Sequence, residues 1–414
     1  FLDEEGESSY KSETTPRYHA REIAKFRAVK HNATLVLGSA TPCIESYYYA
    51  KTGRYSLFTL DKRYKNAKLP SVFIVDMTKE PLSMSPLSQA LEAQIEVNLK
   101  NNEQTILLIN RRGYHTYASC MQCGDVIKCP NCDVSLTYHK SKETLMCHYC
   151  GFQESFDVKC PSCGGKYISF SGIGTQKLED YLIKRFEGVR ILRMDGDTTT
   201  KKDSYIKAFT EFDKGNYDIM VGTQMVAKGL DFPNVTLVGI INADSGLYSA
   251  DYKSTERIFS LITQVVGRSG RSQKSGRAYI QSLNPENSVI LKAASQNYND
   301  FFDEEIAIRK IMTYPPFCDI CVIGFSGINE KNTIKSAEAV LSMLSKLSCK
   351  AKGITMKVLG ITPANIYKIN NKYRYRIIIK CKYTNTFKQF ISKVLKSVSI
   401  NNVSVFVDIN GDIN

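Results

Sequence analysis

Val221-Gly222-Thr223-Gln224-Met225-Val226-Ala227-Lys228-Gly229-Leu230-Asp231-Phe232 follows a short apolar run, Asp218–Val221. Gln264-Val265-Val266-Gly267-Arg268-Ser269-Gly270-Arg271 closes an amphipathic stretch, Thr255–Val266. The first segment reads as a strand ending in a loop, and the second as a helix ending in an Arg/Gly turn. An arginine keeps its charge and forks bidentately onto phosphate oxygens, and neighbouring glycines let the backbone come close to such a group. Taken singly, Gly-Arg-x-Gly-Arg leaves a surface Arg/Gly turn as the lesser alternative. Preceded by the Thr223–Phe232 run, it reads as a phosphate-contacting site on an α/β sheet.

Outward from these segments the pattern alternates. Strands are expected at Val72–Val75, Thr105–Ile109, Arg190–Arg193, Asp218–Val221, Thr236–Ile241 and Arg277–Gln281. Helices are expected near Leu87–Lys100, Thr175–Phe186, Lys201–Lys214 and Thr255–Val266. Short apolar runs separated by amphipathic helices imply a parallel sheet. Helices at Ser288–Gln296 and Phe301–Ile311 lead to Tyr314-Pro315-Pro316-Phe317. Beyond them the order changes to strand, helix, strand, strand, helix, strand (Cys318–Phe325, Lys335–Ser348, Met356–Leu359, Tyr373–Lys380, Phe387–Lys396, Val403–Val407), which fits an α+β sandwich of the split βαβ type.

The α/β alternation is interrupted by four Cys-x-x-Cys pairs: Cys120/Cys123, Cys129/Cys132, Cys147/Cys150 and Cys160/Cys163. Each pair offers two thiolates to one metal, and zinc prefers a tetrahedron of soft ligands, so two four-cysteine sites are expected. With every position a cysteine, no coordination place is left for water, which points to structural zinc. Cys43, Cys318, Cys321, Cys349 and Cys381 lie in apolar or mixed stretches and read as reduced core residues; Cys318/Cys321 has the pair spacing but no second pair.

At the start, Asp3-Glu4-Glu5 follows what reads as a strand end, Phe1-Leu2, with a helix at Arg21–Val29 and a strand at Thr34–Leu37 after it. A carboxylate at a strand's C-terminal end can hold a nucleotide's magnesium while its neighbour polarises the attacking water. Gly38-Ser39-Ala40-Thr41-Pro42 then supplies small hydroxyl residues at a second strand end. Composition bounds the rest: 414 residues give room for two or three domains, and 55 Lys+Arg against 41 Asp+Glu, a net charge of +14, point to a polyanionic partner. No run is apolar enough to span a bilayer, and metal-type cysteine spacing without a secretory signal points to a reducing cytoplasm.

In order and spacing, Asp3-Glu4-Glu5, Gly38–Pro42, Thr223–Phe232 and Gln264–Arg271 resemble motifs II, III, V and VI of superfamily 2 helicases. The cysteine segment after Asn110-Arg111-Arg112-Gly113-Tyr114, and Leu230–Tyr252 with Asn242-Ala243-Asp244, narrow the resemblance to the bacterial primosomal replication-restart DNA helicases, over essentially the whole chain. That resemblance implies RecA-like helicase lobes: the end of a first lobe over 1–60, and linker and start of a second lobe over 61–119. A zinc insertion over 120–165, the rest of the second lobe over 166–312 and a C-terminal α+β domain over 313–414 complete it. It further implies an ATP-dependent 3′-to-5′ DNA helicase using ATP with Mg2+. Asp3 and Glu4 become the magnesium and water-activating acids, and Arg268 and Arg271 the phosphate-contacting arginines with Gln264 beside them. Gly229 and Asp231 line the cleft between lobes.

Tyr10, Lys11, Arg17 and Tyr18 match the family's aromatic-rich loop that couples DNA contact to ATP turnover, and aromatics beside cations suit single-stranded nucleic acid. The family's nested pairing gives one Zn2+ to Cys120, Cys123, Cys160 and Cys163 and another to Cys129, Cys132, Cys147 and Cys150; spacing alone leaves adjacent pairing open. Implied partners are forked and single-stranded DNA, primosome proteins and single-strand-binding protein, in a nucleoid-associated cytoplasmic setting without membrane. Two departures stand out. Gly6 occupies the place of the histidine in the family's Asp-Glu-Glu-His, and no Gly-x-x-x-x-Gly-Lys-Ser/Thr loop occurs in the sequence. The chain is therefore expected to start mid-domain and to be inactive alone. The alternative reading is a non-catalytic DNA- and partner-binding fragment.

Overall fold

The computed structural model describes residues 1–60, 69–81, 85–109, 118–130, 136–139, 144–147, 152–155, 159–165, 168–170, 175–194, 202–227, 232–249, 251–269, 275–348, 353–369 and 371–411. At its centre, strands β3 (Ser71–Asp76), β4 (Gln104–Ile109), β10 (Ile191–Met194), β11 (Ile219–Gly222), β12 (Val235–Ile241) and β13 (Arg277–Ser282) form one parallel sheet in the order β10-β11-β4-β12-β13-β3. All residues of β4 and β12 are buried. Their side chains alternate between two cores, as the period-two geometry of a strand requires. Leu107, Ile109, Leu237 and Ile241 pack with Leu91 and Ile95 of α3 (Gln89–Lys100) and Leu178 and Leu182 of α4 (Thr175–Arg185). Ile106, Leu108, Val238 and Ile240 face the opposite layer, which holds Phe209 and Phe212 of α5 (Lys202–Asp213), Ile258 and Ile262 of α6 (Ser254–Val266) and Ile290 of α7 (Ser288–Ala294).

Residues 1–55 form a smaller unit on this body: β1 (Leu2–Asp3) pairs in parallel with β2 (Leu37–Gly38), flanked by α1 (Ala20–Lys30) and α2 (Ile44–Lys51). Sequence reading missed α2, because its run of three tyrosines carries no helical apolar stripe. The aromatics serve contact instead. Tyr47 meets Tyr298 and Phe302 of α8 (Tyr298–Met312) edge-on at 5.0 and 4.7 Å, and Ile44 is wholly buried in the large core.

Between β4 and α4 in the chain lie β5 (Ala118–Cys120), β6 (Thr137–His139), β7 (Thr144–Met146), β8 (Gln153–Ser155) and β9 (Ile168–Phe170). They pair as β5-β9 and β6-β7-β8, and none joins the six-stranded sheet.

The C-terminal region carries β14 (Asp319–Gly327), α9 (Glu330–Ser348), β15 (Met356–Ile369), β16 (Lys372–Cys381), α10 (Asn385–Lys396) and β17 (Val403–Ile409), with an antiparallel sheet ordered β15-β16-β14-β17. This is the expected split βαβ arrangement. β15 continues ten residues past the expected end, because register shifts within it accommodate Pro363. One face of β14 (Cys321, Ile323, Phe325) packs on α9 and α10, while Ile320 and Val322 turn toward Tyr252 and Tyr314 of the central body. Tyr252 and Tyr314 stack with ring centroids 5.1 Å apart. Among the described residues, no helix is long and apolar enough to cross a membrane.

Candidate inter-lobe nucleotide cleft and metal centre

β1 ends in three acids whose environments differ. Asp3 is exposed, and its Oδ1 accepts from Glu4 N at 3.2 Å. Glu4 sits at φ +47°, a left-handed conformation that costs a non-glycine residue about 1–3 kcal/mol and persists where surroundings enforce it. Its Oε2 accepts from Ser39 Oγ at 2.9 Å and lies 3.5 Å from Gln264 Nε2, which comes from α6. Glu5 is buried and serves the scaffold: Arg21 Nη1 donates to it at 2.6 Å, Ser46 Oγ at 3.0 Å and the Cys43 backbone N–H at 2.8 Å. Of the three, Glu4 alone reaches the facing body.

The cleft between the N-terminal unit and the central body holds about 140 Å³, and its lining includes Glu4, Ser39, Thr41, Gln224, Ser260 and Gln264. Thr41 Oγ1 lies 2.7 Å from Ser260 Oγ, one helical turn before Gln264, so the Gly38–Pro42 turn and the middle of α6 touch directly. Gln224, from the run that opened the sequence reading, enters the same space.

Arg268 follows the Gly267 cap of α6 and does not line this cleft. Arg271, Gly229 and Asp231 lie outside the described residues. Gly6 also lines the cleft; a Cβ there would stand 3.2 Å from Cys43 Sγ, so a larger side chain requires the thiol to give way. The cleft has a histidine all the same: His19 Nδ1 accepts from Arg21 N at 3.2 Å. Burial, then the neighbouring Arg21 and Lys253 charges, lower its pKa to about 4, so it stays neutral at pH 7. Sequence reading missed His19, Arg21 and Ser260; their role depends on packing between segments remote in the chain.

Tyr10 donates its hydroxyl to the Asp3 carbonyl at 2.8 Å, and Tyr18 is exposed. Lys11 and Arg17 both approach Asp408 of β17, at 2.5 and 3.6 Å. Asp244, within the Asn242–Asp244 stretch, is a structural tie: it is buried and accepts from Ser282 Oγ and Leu283 N, both at 2.8 Å.

In the cysteine segment, the first and last pairs come together. Cys120 and Cys163 have sulfurs 3.5 Å apart, Cys123 and Cys160 3.6 Å, and all four sulfurs lie within 4.8 Å of one another. Zinc–sulfur bonds of about 2.3 Å in a tetrahedron put sulfurs about 3.8 Å apart, so the set fits zinc. Both pairs sit on the same turn: Gly124 N donates to Cys120 O and Gly164 N to Cys160 O. Without metal the four sulfurs share their protons. Burial raises the Cys120 thiol, but N–H groups of Cys123 and Gln122 outweigh it and bring it down to about 7. Burial pushes Cys123 up to about 12, and against the Gly165 N–H, Cys163 is raised by its neighbour Cys120. Cys129 and Cys147 are buried; Cys132 and Cys150 lie outside the described residues. Of the leftover cysteines, Cys321 and Cys381 are core residues and Cys43 is buried beside the cleft; Cys318 is half-exposed, its thiol donating to Thr313 O. Cys349 lies outside the described residues.

Residues 129–154 match the PriA DNA helicase Cys-rich region (CRR) domain, 158–273 the helicase conserved C-terminal domain, and 310–411 the primosomal protein N C-terminal domain. Replication restart protein PriA of Bacillus subtilis is 40% identical over 416 residues, covering 99% of this chain and 51% of the relative. The chain belongs to the PriA family. The relatives of Synechocystis and Chlamydia trachomatis, each 38% identical, cover 100% and 99% of the chain and 50% and 55% of their own lengths. The chain thus spans about half the length of the PriA relatives it matches. Its cysteine segment is the zinc-binding region of that family.

Zinc removal has a local outcome. Buried Val126, Ile127, Leu136 and Leu145 of the cysteine segment belong to neither large core of the central sheet. Structural zinc contributes roughly 10–16 kcal/mol of apparent binding free energy per site, which small apolar clusters cannot replace. A strong chelator is expected to abolish amide protection in β5, β6, β7, β8 and β9 while the β4 and β12 amides keep theirs. Loss of protection across both at one chelator concentration would refute an independent module.

The two glycine knuckles give a paired test of docking. Gly124 (φ +74°) and Gly164 (φ +71°) share a left-handed backbone, but a Cβ on Gly124 would meet Leu283 O at 2.1 Å whereas one on Gly164 meets open space. Gly164→Ala is expected to cost about 1–2 kcal/mol of backbone strain. Gly124→Ala adds a collision with main chain and is expected to expose the Leu283 loop to proteolysis while zinc content holds. Equal proteolysis of the two variants would contradict the contact.

Proposed function

We propose that this chain forms the cleft-closing part of an ATP-dependent 3′-to-5′ DNA helicase that restarts replication at stalled or repaired forks. The observation that carries the reading is the meeting of Glu4 and Ser39 with Gln264 across one cleft. Glu4 polarises the water that attacks the γ-phosphate, and Asp3 holds the nucleotide's magnesium. Arg268, which stands outside the cleft before closure, and Arg271 are proposed to close on the phosphate and stabilise the charge that develops there, and Gly229 and Asp231 to line the cleft between lobes. Nucleotide-driven closure then moves the two bodies along single-stranded DNA, which Tyr10, Lys11, Arg17 and Tyr18 engage by stacking and by phosphate contact. Two zinc ions, the second on Cys129, Cys132, Cys147 and Cys150, hold a module that separates strands or receives primosome partners. The C-terminal domain adds fork contacts and binds single-strand-binding protein, in a nucleoid-associated setting.

The lobe boundaries proposed are those read from sequence: 1–60, 61–119, 120–165, 166–312 and 313–414. The chain alone is proposed to bind nucleic acid without turning over ATP, since it supplies no Gly-x-x-x-x-Gly-Lys-Ser/Thr loop. The test is ATP hydrolysis on forked DNA by this chain joined to the part of the Bacillus subtilis relative that the chain does not span. Fork-stimulated turnover that collapses in Arg271→Ala is the expected result. Turnover absent from the joined wild type would favour a binding fragment without a motor.

A further inference from the structure

Two segments nearly four hundred residues apart meet at the loop that follows the cleft acids. Lys11 Nζ donates to Asp408 Oδ1 at 2.5 Å, and both side chains are largely shielded from water. Arg17 Nη1 stands 3.6 Å from Asp408 Oδ2, and its guanidinium carbon lies 3.8 Å above the Phe406 ring centroid. Phe406 and Asp408 are alternate residues of β17 and so project from one face. The Phe406 ring lies against the β14 backbone at Gly324, where a Cβ would come within 2.2 Å of it; only glycine admits the ring there.

At its other end the loop is tied to the cleft. Tyr10 bonds the Asp3 carbonyl, Ser12 N donates to Tyr18 O at 2.8 Å, and Lys11 bridges to His19, which caps α1 beside the Arg21–Glu5 pair. A shift at β17 therefore has a bonded route to Asp3 and Glu5. The seat is strongly cationic. Lys11 and Arg17 converge on a single carboxylate, and burial followed by the Arg17 charge lowers the pKa of nearby Arg374, with Glu13 opposing. Arg17 is held loosely: among the described residues its buried Nε has no hydrogen-bond partner, and its Nη1 lies beyond hydrogen-bond distance of Asp408.

We propose that Asp408 and Phe406 form a seat that holds the 7–18 loop closed on the C-terminal domain, and that the phosphates of single-stranded nucleic acid open it by taking Lys11 and Arg17 from Asp408. The proposal rests on reading this loop as a nucleic-acid contact. Phosphate and carboxylate oxygens compete for the same cations, and a backbone offering several phosphates outbids one aspartate.

The test uses the 414-residue chain. Hydrogen exchange of residues 7–18 is followed without DNA, and affinity for a fluorescein-labelled oligothymidylate is read by anisotropy at low salt. Asp408→Asn is expected to speed loop exchange about tenfold and tighten oligonucleotide binding about three- to tenfold, with β14 exchange unchanged as the fold control. Should Asp408→Asn disturb β14, Phe406→Leu serves as the second variant with the same expectations. Unchanged loop exchange overturns the seat whatever the DNA does. Faster exchange with unchanged or weaker binding overturns release by phosphate. Lys11→Gln/Arg17→Gln separates the underlying reading: full affinity in that double variant would refute the loop as a nucleic-acid contact, a failure distinct from that of the seat.

Discussion

Arg309→Met is expected to destabilise the chain by about 3–5 kcal/mol, read as a lower urea midpoint and as lost amide protection in α2. Arg309 is 1% exposed. Its Nε donates to Glu305 at 2.8 Å, Nη2 to Glu256 at 2.7 Å, and Nη1 to Glu45 at 3.2 Å and to the Pro315 carbonyl at 3.3 Å. One guanidinium thus joins α2 of the N-terminal unit, α6 and α8 of the central body and the approach to the C-terminal domain. Glu256 Oε1 in turn accepts from Ile44 N at the start of α2, so the same group also caps a helix of the facing unit.

Methionine fills similar space but leaves three carboxylates without their cation, and uncompensated buried charge is what makes one-sided deletion costly. The pH dependence follows in sign. Burial raises Glu45, but Arg309 and then Lys253 and Arg21 outweigh it and hold its pKa at about 2. A depressed carboxylate contributes stability above its unfolded pKa of about 4.3 and loses it as pH falls toward the folded value. In Arg309→Met the glutamates protonate readily, so the gap to wild type is expected to be widest near neutrality and to narrow as pH falls below about 4.3 toward 2. Adding Glu256→Gln to the variant recovers part of the loss. A midpoint equivalent to less than about 0.5 kcal/mol from wild type would show the cluster to be dispensable.

Glu4→Gln, in the chain joined to the part of the relative it does not span, is expected to lower fork-stimulated ATP turnover by about 10²–10⁴-fold, the range for losing a positioned base. Glutamine keeps the size of Glu4 and can still meet Ser39 and Gln264, so stability should hold within about 0.5 kcal/mol. Glu5→Gln is expected to do the reverse. It strips the charge partner from Arg21, which is mostly buried, and weakens a hydrogen-bonded ion pair at 2.6 Å, so thermal stability falls. The assignment fails if Glu5→Gln abolishes turnover at unchanged stability while Glu4→Gln does not.

Much of this protein was legible as sequence, because the signals were local. Val, Ile and Leu runs bounded by turns placed the six strands of the central sheet within a residue or two, since the central strands β4 and β12, buried on both faces, are mostly apolar. The Cys-x-x-Cys turns announced metal because thiolate pairs at that spacing close one knuckle. Ordered motifs from Asp3 to Arg271 carried the family. Legibility ended where side chains act across distance. Spacing left the cysteine pairing open, and the fold brings Cys120, Cys123, Cys160 and Cys163 together by folding β5 onto β9.

Asp3, Glu4 and Glu5 are alike as letters. Only the arrival of Arg21, Cys43 and Ser46 around one, and of Ser39 and Gln264 around another, separates anchor from cleft acid. Arg309 and Asp408 carried no motif at all. Their importance comes from burial, which strips away water's screening and makes each cation's choice of carboxylate a matter of which segments the chain packs together. Sequence alone therefore determined the strands, the zinc-type cysteine pattern and the family, all written in near neighbours. The tertiary structure alone decided which acid faces the cleft, which sulfurs share a site and which charges lock the units together, because those energies exist only once remote side chains share a dry environment.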